Sequence, residues 1–418
     1  MISLLAAAAA QGFDVEAATR AYLDTLHGAA RARSDAFFEG GYWLTLWAAL
    51  VGVLVHWAML RFGWSATWSD RANRMTRRRW LQPAVYSVPF TIVGALLALP
   101  WTIYSGFVRE KQYDLMNLSF AGWLSEQAIS LVVAIIVTAI VFAIIFAVIR
   151  NAPRTWWLWG TGATAILLVL GIMIAPVFIA PLFNEYKPMA AGPLRDEILA
   201  MAHKEDIPAD NVYVFDQSKQ TDRISANVSG LGPTVRISLN DNLLNRATTA
   251  GVKAVMGHEM GHYVLGHLAR LVAYNSLLVL VIVFLLWWWS PRILRRFGER
   301  WGVRDVADPA VAPLFAIFVV VFGLLATPLV TTISRTVEAE ADAFGLDAAR
   351  EPDGFAAISM LLSEYRKIEP TELEEVVFYD HPSGRARVKM AMEWKARHLN
   401  ELPPDQRVIV RPPPLKQD

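Results

Sequence analysis

The five residues His258-Glu259-Met260-Gly261-His262 carry the most readily named chemistry in this 418-residue chain. Neither flank, Ala254-Val255-Met256-Gly257 or Tyr263-Val264-Leu265, holds a proline, so the spacing predicts a helix. Helix positions four apart share a face, and the two imidazoles then point the same way, about one turn apart. That arrangement suits two ligands of one tetrahedral Zn2+ ion per chain. Glu259, between them, is placed to act as the base toward water. The reaction class is metal-assisted hydrolysis, most often of peptides. The same pattern also occurs in chains that bind no metal, so the surrounding elements must decide.

Those elements are mostly apolar. The chain is 55% hydrophobic and 18% charged, with a mean hydropathy of +0.34, whereas soluble domains carry about 25% charged residues. A formal net charge of +1 suggests no polyanionic partner, and nucleic acid is not expected. With no cysteine, disulfides, thiolate ligands and a cysteine nucleophile are all excluded. Six apolar runs, at about 42–60, 82–107, 127–149, 156–182, 270–289 and 311–333, are long enough to cross a bilayer. Residues 1–41 read as an N-terminal segment whose first twelve residues resemble a weak signal peptide. Residues 42–183 then form a membrane region of four spans. Residues 184–400 form a peptidase-like region interrupted by the last two spans, and 401–418 a loose proline-rich tail. Within 184–248, Val212–Phe215 and Val235–Leu239 read as strands joined by a turn-rich link, which suggests a hairpin. The fold class expected is mainly α, a polytopic membrane helix bundle bearing a gluzincin-like HExxH zinc domain with a small β-hairpin or sheet.

A catalytic zinc takes three protein ligands and keeps one position open. A metzincin would place a third histidine six residues after His262, where this chain has Leu268. His267 lies nine residues after His258, about 900° of helix rotation, so it falls on the opposite face and reads as a packing or surface histidine. The chain leaves the histidine side through one span and returns through the next, emerging at Ser334-Arg335-Thr336-Val337-Glu338-Ala339-Glu340-Ala341-Asp342. Glu338 is therefore the better third ligand. Asp342, one helical turn on, is placed to orient a liganding imidazole. Glu340, on the other face of that helix, is expected to be solvated.

The pairing of HEMGH with SRTVEAEAD resembles the M48 family of zinc metalloproteases, and within it the Ste24-type CAAX prenyl proteases. Leu99-Pro100-Trp101-Thr102-Ile103-Tyr104 with Glu110-Lys111-Gln112-Tyr113, Ile179 to Asn184, Asp216 to Asn227, and His381-Pro382-Ser383 with Arg387 extend the resemblance over roughly residues 42–400. It implies that His258, His262 and Glu338 bind zinc, that Glu259 activates water, and that Asp342 orients a histidine. It further implies that His381 and Arg387 stabilise the oxyanion and that Asn227 holds substrate backbone beside an edge strand. Ser218-Lys219-Gln220-Thr221 and Asn227-Val228-Ser229 depart from the family's pattern, which puts the substrate-facing edge in doubt.

The function expected is an integral-membrane zinc endopeptidase acting on membrane-associated or CAAX-type proteins, with the lipid bilayer as its surroundings. A transporter or channel with a structural metal, or an inactive scaffold, is the alternative. The alanine- and arginine-rich composition points to a bacterial plasma membrane. Arginines crowd the loops 61–80, 150–154 and 290–310, which six spans put on one face. By the positive-inside rule that face is cytoplasmic and the zinc site extracytoplasmic. Analogy with the seven-span relatives implies a cytoplasmic site instead.

Overall fold

The computed structural model describes residues 13–230, 235–410 and 412. The expected signal peptide at 1–12 lies outside the described residues, as does most of the tail beyond residue 410. Among the described residues, six helices are long and apolar enough to cross a membrane, one for each apolar run. After α1 (Val15–Leu23) comes the first of them, α2 (Gly28–Arg61), which starts well before its apolar stretch. A short amphipathic helix, α3 (Trp64–Met75), lies in the first basic loop. Next is α4 (Gln82–Ile103), prolonged through a π-helical turn, Tyr104–Val108, to Gln112. Then come α5 (Phe120–Asn151), capped by Ser119, and α6 (Trp156–Ile174), which also ends in a π-helical turn, Ala175–Ile179. Pro100 lies four residues before the first widened turn and Pro176 inside the second. A proline breaks the regular backbone ladder, and a widened turn absorbs the mismatch. Large apolar side chains such as Trp43, Val132, Ile166 and Leu325 are exposed, as lipid-facing groups are.

The polar region opens with β1 (Tyr186–Pro188), α7 (Pro193–Lys204), β2 (Val212–Phe215), β3 (Ala226–Ser229) and β4 (Arg236–Asn240). They form a mixed four-stranded sheet in the order β1-β2-β4-β3. The hairpin expected between β2 and β4 is not formed, because these two strands run parallel. Parallel neighbours need a long crossover, and the connection supplies one. It also carries β3, which makes the antiparallel pair with β4 and leaves β3 at the edge of the sheet. Arg236 of β4 reaches the carbonyl of Pro176 at 2.7 Å, tying the sheet to the widened turn after α6.

The remaining helices are α8 (Asp241–Arg246), α9 (Thr249–Val264), α10 (His267–Trp301), α11 (Ala312–Ala349), α12 (Pro352–Leu362), α13 (Glu372–Phe378) and α14 (Gly384–Arg397). Two apolar cores meet on α9. Met256 and Met260 pack with Ile237 and Leu239 of the sheet. Ala254 packs instead with Phe355 of α12 and with Val388 and Trp394 of α14. The histidine helix does not run on into the membrane, as its sequence suggests. It stops at Val264, Gly266 takes a left-handed φ of 64°, and α10 begins afresh at His267. At the far end of α10 the three arginine-rich loops meet. Arg150 binds the carbonyls of Ala307 and Arg79, and Ser65 donates to the carbonyl of Ala310 at 2.8 Å.

Candidate metal centre

Two helices build the centre, and glycine sets how closely they approach. Thr248 caps α9 by accepting from the Gly251 amide. Where α9 crosses α11, a Cβ on Gly345 would stand 2.7 Å from the His258 nitrogen, and one on Gly257 would stand 2.9 Å from the Gly345 carbonyl oxygen. Backbone therefore meets backbone at His258. That closeness lets two side chains of α11, one turn apart, reach the imidazoles of α9.

The side chains converge as the spacing predicts. His258 Nε2 lies 3.1 Å from Glu338 Oε2, and His262 Nε2 lies 3.5 Å from the same oxygen. The two Nε2 atoms are 3.1 Å apart. Tetrahedral ligands at about 2.0–2.1 Å from zinc would stand about 3.3–3.4 Å from one another, so the donor set fits such an ion. Glu338 Oε2 is buried and accepts no aligned hydrogen bond among the described residues, although three imidazoles surround it. An oxygen left so is suited to a cation.

Behind this trio, His258 Nδ1 meets Asp342 Oδ1 at 2.8 Å. The Asp342 carboxylate, wholly buried, takes a two-pronged contact from Arg387, at 2.9 Å from Nε and 2.6 Å from Nη2. Asp342 is thus where the sequence reading expects it. Arg387 lines the same cavity as His258, Glu259 and His381 and also gives this fork to Asp342, because a buried carboxylate needs a charged partner. Burial pulls the His258 pKa down, but the carboxylates of Asp342 and Glu338 outweigh it and raise the value to about 10. Burial lifts the Glu259 carboxyl above its ordinary range, against the pull of the two histidines.

His258 and Glu259 open onto a cavity of about 550 Å³. Its walls include Tyr42 of α2, Arg109 beyond the widened turn of α4, Ala226 of β3, and His381. Membrane helices and polar region thus enclose one space. His381 Nε2 stands 3.2 Å from Glu338 Oε2, with its Nδ1 on Asp380 at 2.8 Å. Asn227 follows Ala226 on β3, opposite Ser238 of β4. One sequence expectation changes at the back of the site. His267 is buried, as a packing histidine would be, but it touches His262 rather than lying on the opposite face. Glu340, read as solvated, keeps 39% of its side chain exposed and also bridges His267 and Arg270. The glycine four residues after His262 was the available signal, because a left-handed residue there ends the helix and voids any rotation counted through it.

A sequence model described as "Peptidase family M48" matches residues 188–395. A second, "CAAX prenyl protease N-terminal, five membrane helices", matches residues 32–185. The chain is 27% identical to the uncharacterized metalloprotease YhfN of Bacillus subtilis, over 75% of this chain and 74% of that protein. It is 26% identical to CAAX prenyl protease 1 of Saccharomyces cerevisiae, over 71% of each. The CAAX prenyl protease 1 homolog of Homo sapiens is 24% identical, over 75% of this chain and 74% of its own length. The crystal structure of S. mikatae Ste24p shares the fold, with a TM-score of 0.74 at 21% identity, covering 88% of this chain and 90% of that one.

Proposed function

The chain belongs to peptidase family M48, as a Ste24-type membrane metalloendopeptidase, and from that premise we propose that it is a zinc enzyme cleaving membrane-associated or CAAX-type proteins. One zinc ion held by His258, His262 and Glu338 would supply Lewis-acid activation of water and of the scissile carbonyl. Glu259 takes the proton of the attacking water and delivers it to the leaving amine. Asp342 accepts from His258 Nδ1, which keeps the Nε2 lone pair facing the ligand position. His381, at the cavity wall, stabilises the developing oxyanion. Arg387, at the same wall, joins His381 in this and also holds Asp342 ionised. The free edge of β3 takes an extended substrate by strand addition, with Asn227 gripping its backbone. The enzyme sits in a bacterial plasma membrane with its arginine-rich end in the cytoplasm, so the metal end is extracytoplasmic.

The observation that carries this reading is the triad itself, whose donor atoms all lie within 4.8 Å of one another beside Glu259 and the cavity. A transporter or scaffold would have no use for a base between two ligands. The test is metal analysis of the purified chain together with cleavage of a fluorogenic peptide, with and without chelator. One zinc per chain and chelator-sensitive cleavage are expected. Glu259→Gln should retain zinc and lose cleavage, and unchanged turnover in that variant rejects the mechanism.

A further inference from the structure

The second ligand histidine is backed by a chain of its own. His267 Nδ1 lies 3.0 Å from His262 Nδ1, and His267 Nε2 lies 3.3 Å from Glu340 Oε2. Arg270 closes on that carboxylate, with Nη2 3.1 Å from Oε1 and Nη1 on Oε2. We propose that His267, Glu340 and Arg270 form a positioning relay that fixes the tautomer and ring plane of His262. The proposal rests on the reading that His262 binds the metal.

Proton bookkeeping supports it. A His262 that offers its Nε2 lone pair to a cation must carry its proton on Nδ1, and that N–H then donates to His267 Nδ1. His267 is left with its proton on Nε2, aimed at a carboxylate. Each ring nitrogen has one role, and the only charged groups are the terminal ion pair. The pattern parallels His258–Asp342–Arg387, where an imidazole Nδ1 also leads to a carboxylate and then a guanidinium. The relay inserts one neutral imidazole, which spans the longer gap to Glu340.

The backbone is built for this contact. On an unbroken helix, residues five apart are turned by about 500°, far off a common face. Gly266, at a φ of 64°, breaks the helix and swings His267 back under His262. α11 is then gripped on two sides, through Asp342 by α9 and through Glu340 by α10. The relay thereby ties the first turn of a membrane helix to the geometry of the site.

The test uses the full-length chain in detergent, with zinc affinity from chelator competition and the absorption spectrum of the Co2+-substituted protein. His267→Phe keeps a flat aromatic ring, somewhat larger than imidazole, but removes both nitrogens. It should weaken zinc binding by about 10–100-fold and change the cobalt spectrum, with the thermal midpoint of the metal-free protein unmoved. His267→Asn, which keeps an acceptor near His262, should recover part of the loss. Glu340→Gln should weaken zinc alone and add nothing on top of His267→Phe. Zinc affinity and cobalt spectrum unchanged in His267→Phe, or fully additive effects of the two changes, overturn the relay. Should His267→Phe not fold, Glu340→Gln decides by the same two readouts. His262→Ala separates the two readings, because zinc binding unchanged there defeats the site assignment itself.

Discussion

At the scale of single residues, the centre depends on groups that never touch the metal. Asp342 is shared between His258 and Arg387. Asp342→Asn keeps the shape but not the charge, and zinc affinity should fall about 10–100-fold. Asp342→Ala also strands a buried guanidinium, so a fold cost of about 3–5 kcal/mol should appear in the denaturation midpoint. Acidity acts through the same contact. Because the metal-free His258 has its pKa raised to about 10, it carries a proton on Nε2 at neutral pH, and a cation must displace it. Zinc affinity should therefore fall as pH drops, by at least about tenfold per unit between pH 8 and 6. Chelator competition across that range, corrected for the chelator's own protonation, measures the slope. A flat profile would show that the Asp342 and Glu338 carboxylates do not hold that proton.

At the scale of elements, the deciding contact is the crossing of α9 and α11. Gly345→Ala would place a methyl group 2.7 Å from the His258 nitrogen and 3.0 Å from its Cα. Neither backbone atom can give way alone, so the helices must part, at a cost of about 1–3 kcal/mol. Glu338 and Asp342 would move off the imidazoles with them. Gly345→Ala should thus lose zinc while keeping its helix content. Gly323→Ala, on the same helix but facing open space, should keep both zinc and helix content. Zinc per chain measured beside circular dichroism separates the two. Much of this was legible in the sequence, for simple reasons. Apolar runs mark spans because lipid tolerates little else, and ligands one turn apart show on any helix. What was not legible depends on local breaks and on pairing. Counting rotation through Gly266 sent His267 to the wrong face. Strand propensity marked Val212–Phe215 and Val235–Leu239, but it carries no record of which strand lies beside which. The 3-residue β1 was too short to show any alternation.

At the scale of the whole molecule, the six spans fix two ends whose chemistry differs. One end gathers Arg71, Arg74, Arg77, Arg78, Arg79, Arg150, Arg295, Arg296 and Arg304 in short connections and the helices that border them, which hydrogen-bond to one another. The other carries the sheet, the cavity and the proposed metal ligands. Arginine in short loops holds those loops on the cytoplasmic side during insertion, and acidic residues offset it little. If that rule governs this chain, the substrate reaches the cavity from outside the cytoplasm, and the candidate substrates are envelope-facing or membrane-embedded rather than cytosolic. Reporter fusions decide between the two orientations. Alkaline phosphatase joined after residue 418 should be active and a fluorescent protein there dark, since no further membrane-length helix follows α11 among the described residues. Fusions after Ala152, in the loop between α5 and α6, should behave in the opposite way. Fluorescence after residue 418 with active phosphatase after Ala152 would place the metal end in the cytoplasm. The arginines of the far end would then have to be held outside against the rule, and the pool of substrates would change from envelope proteins to cytosol-facing ones.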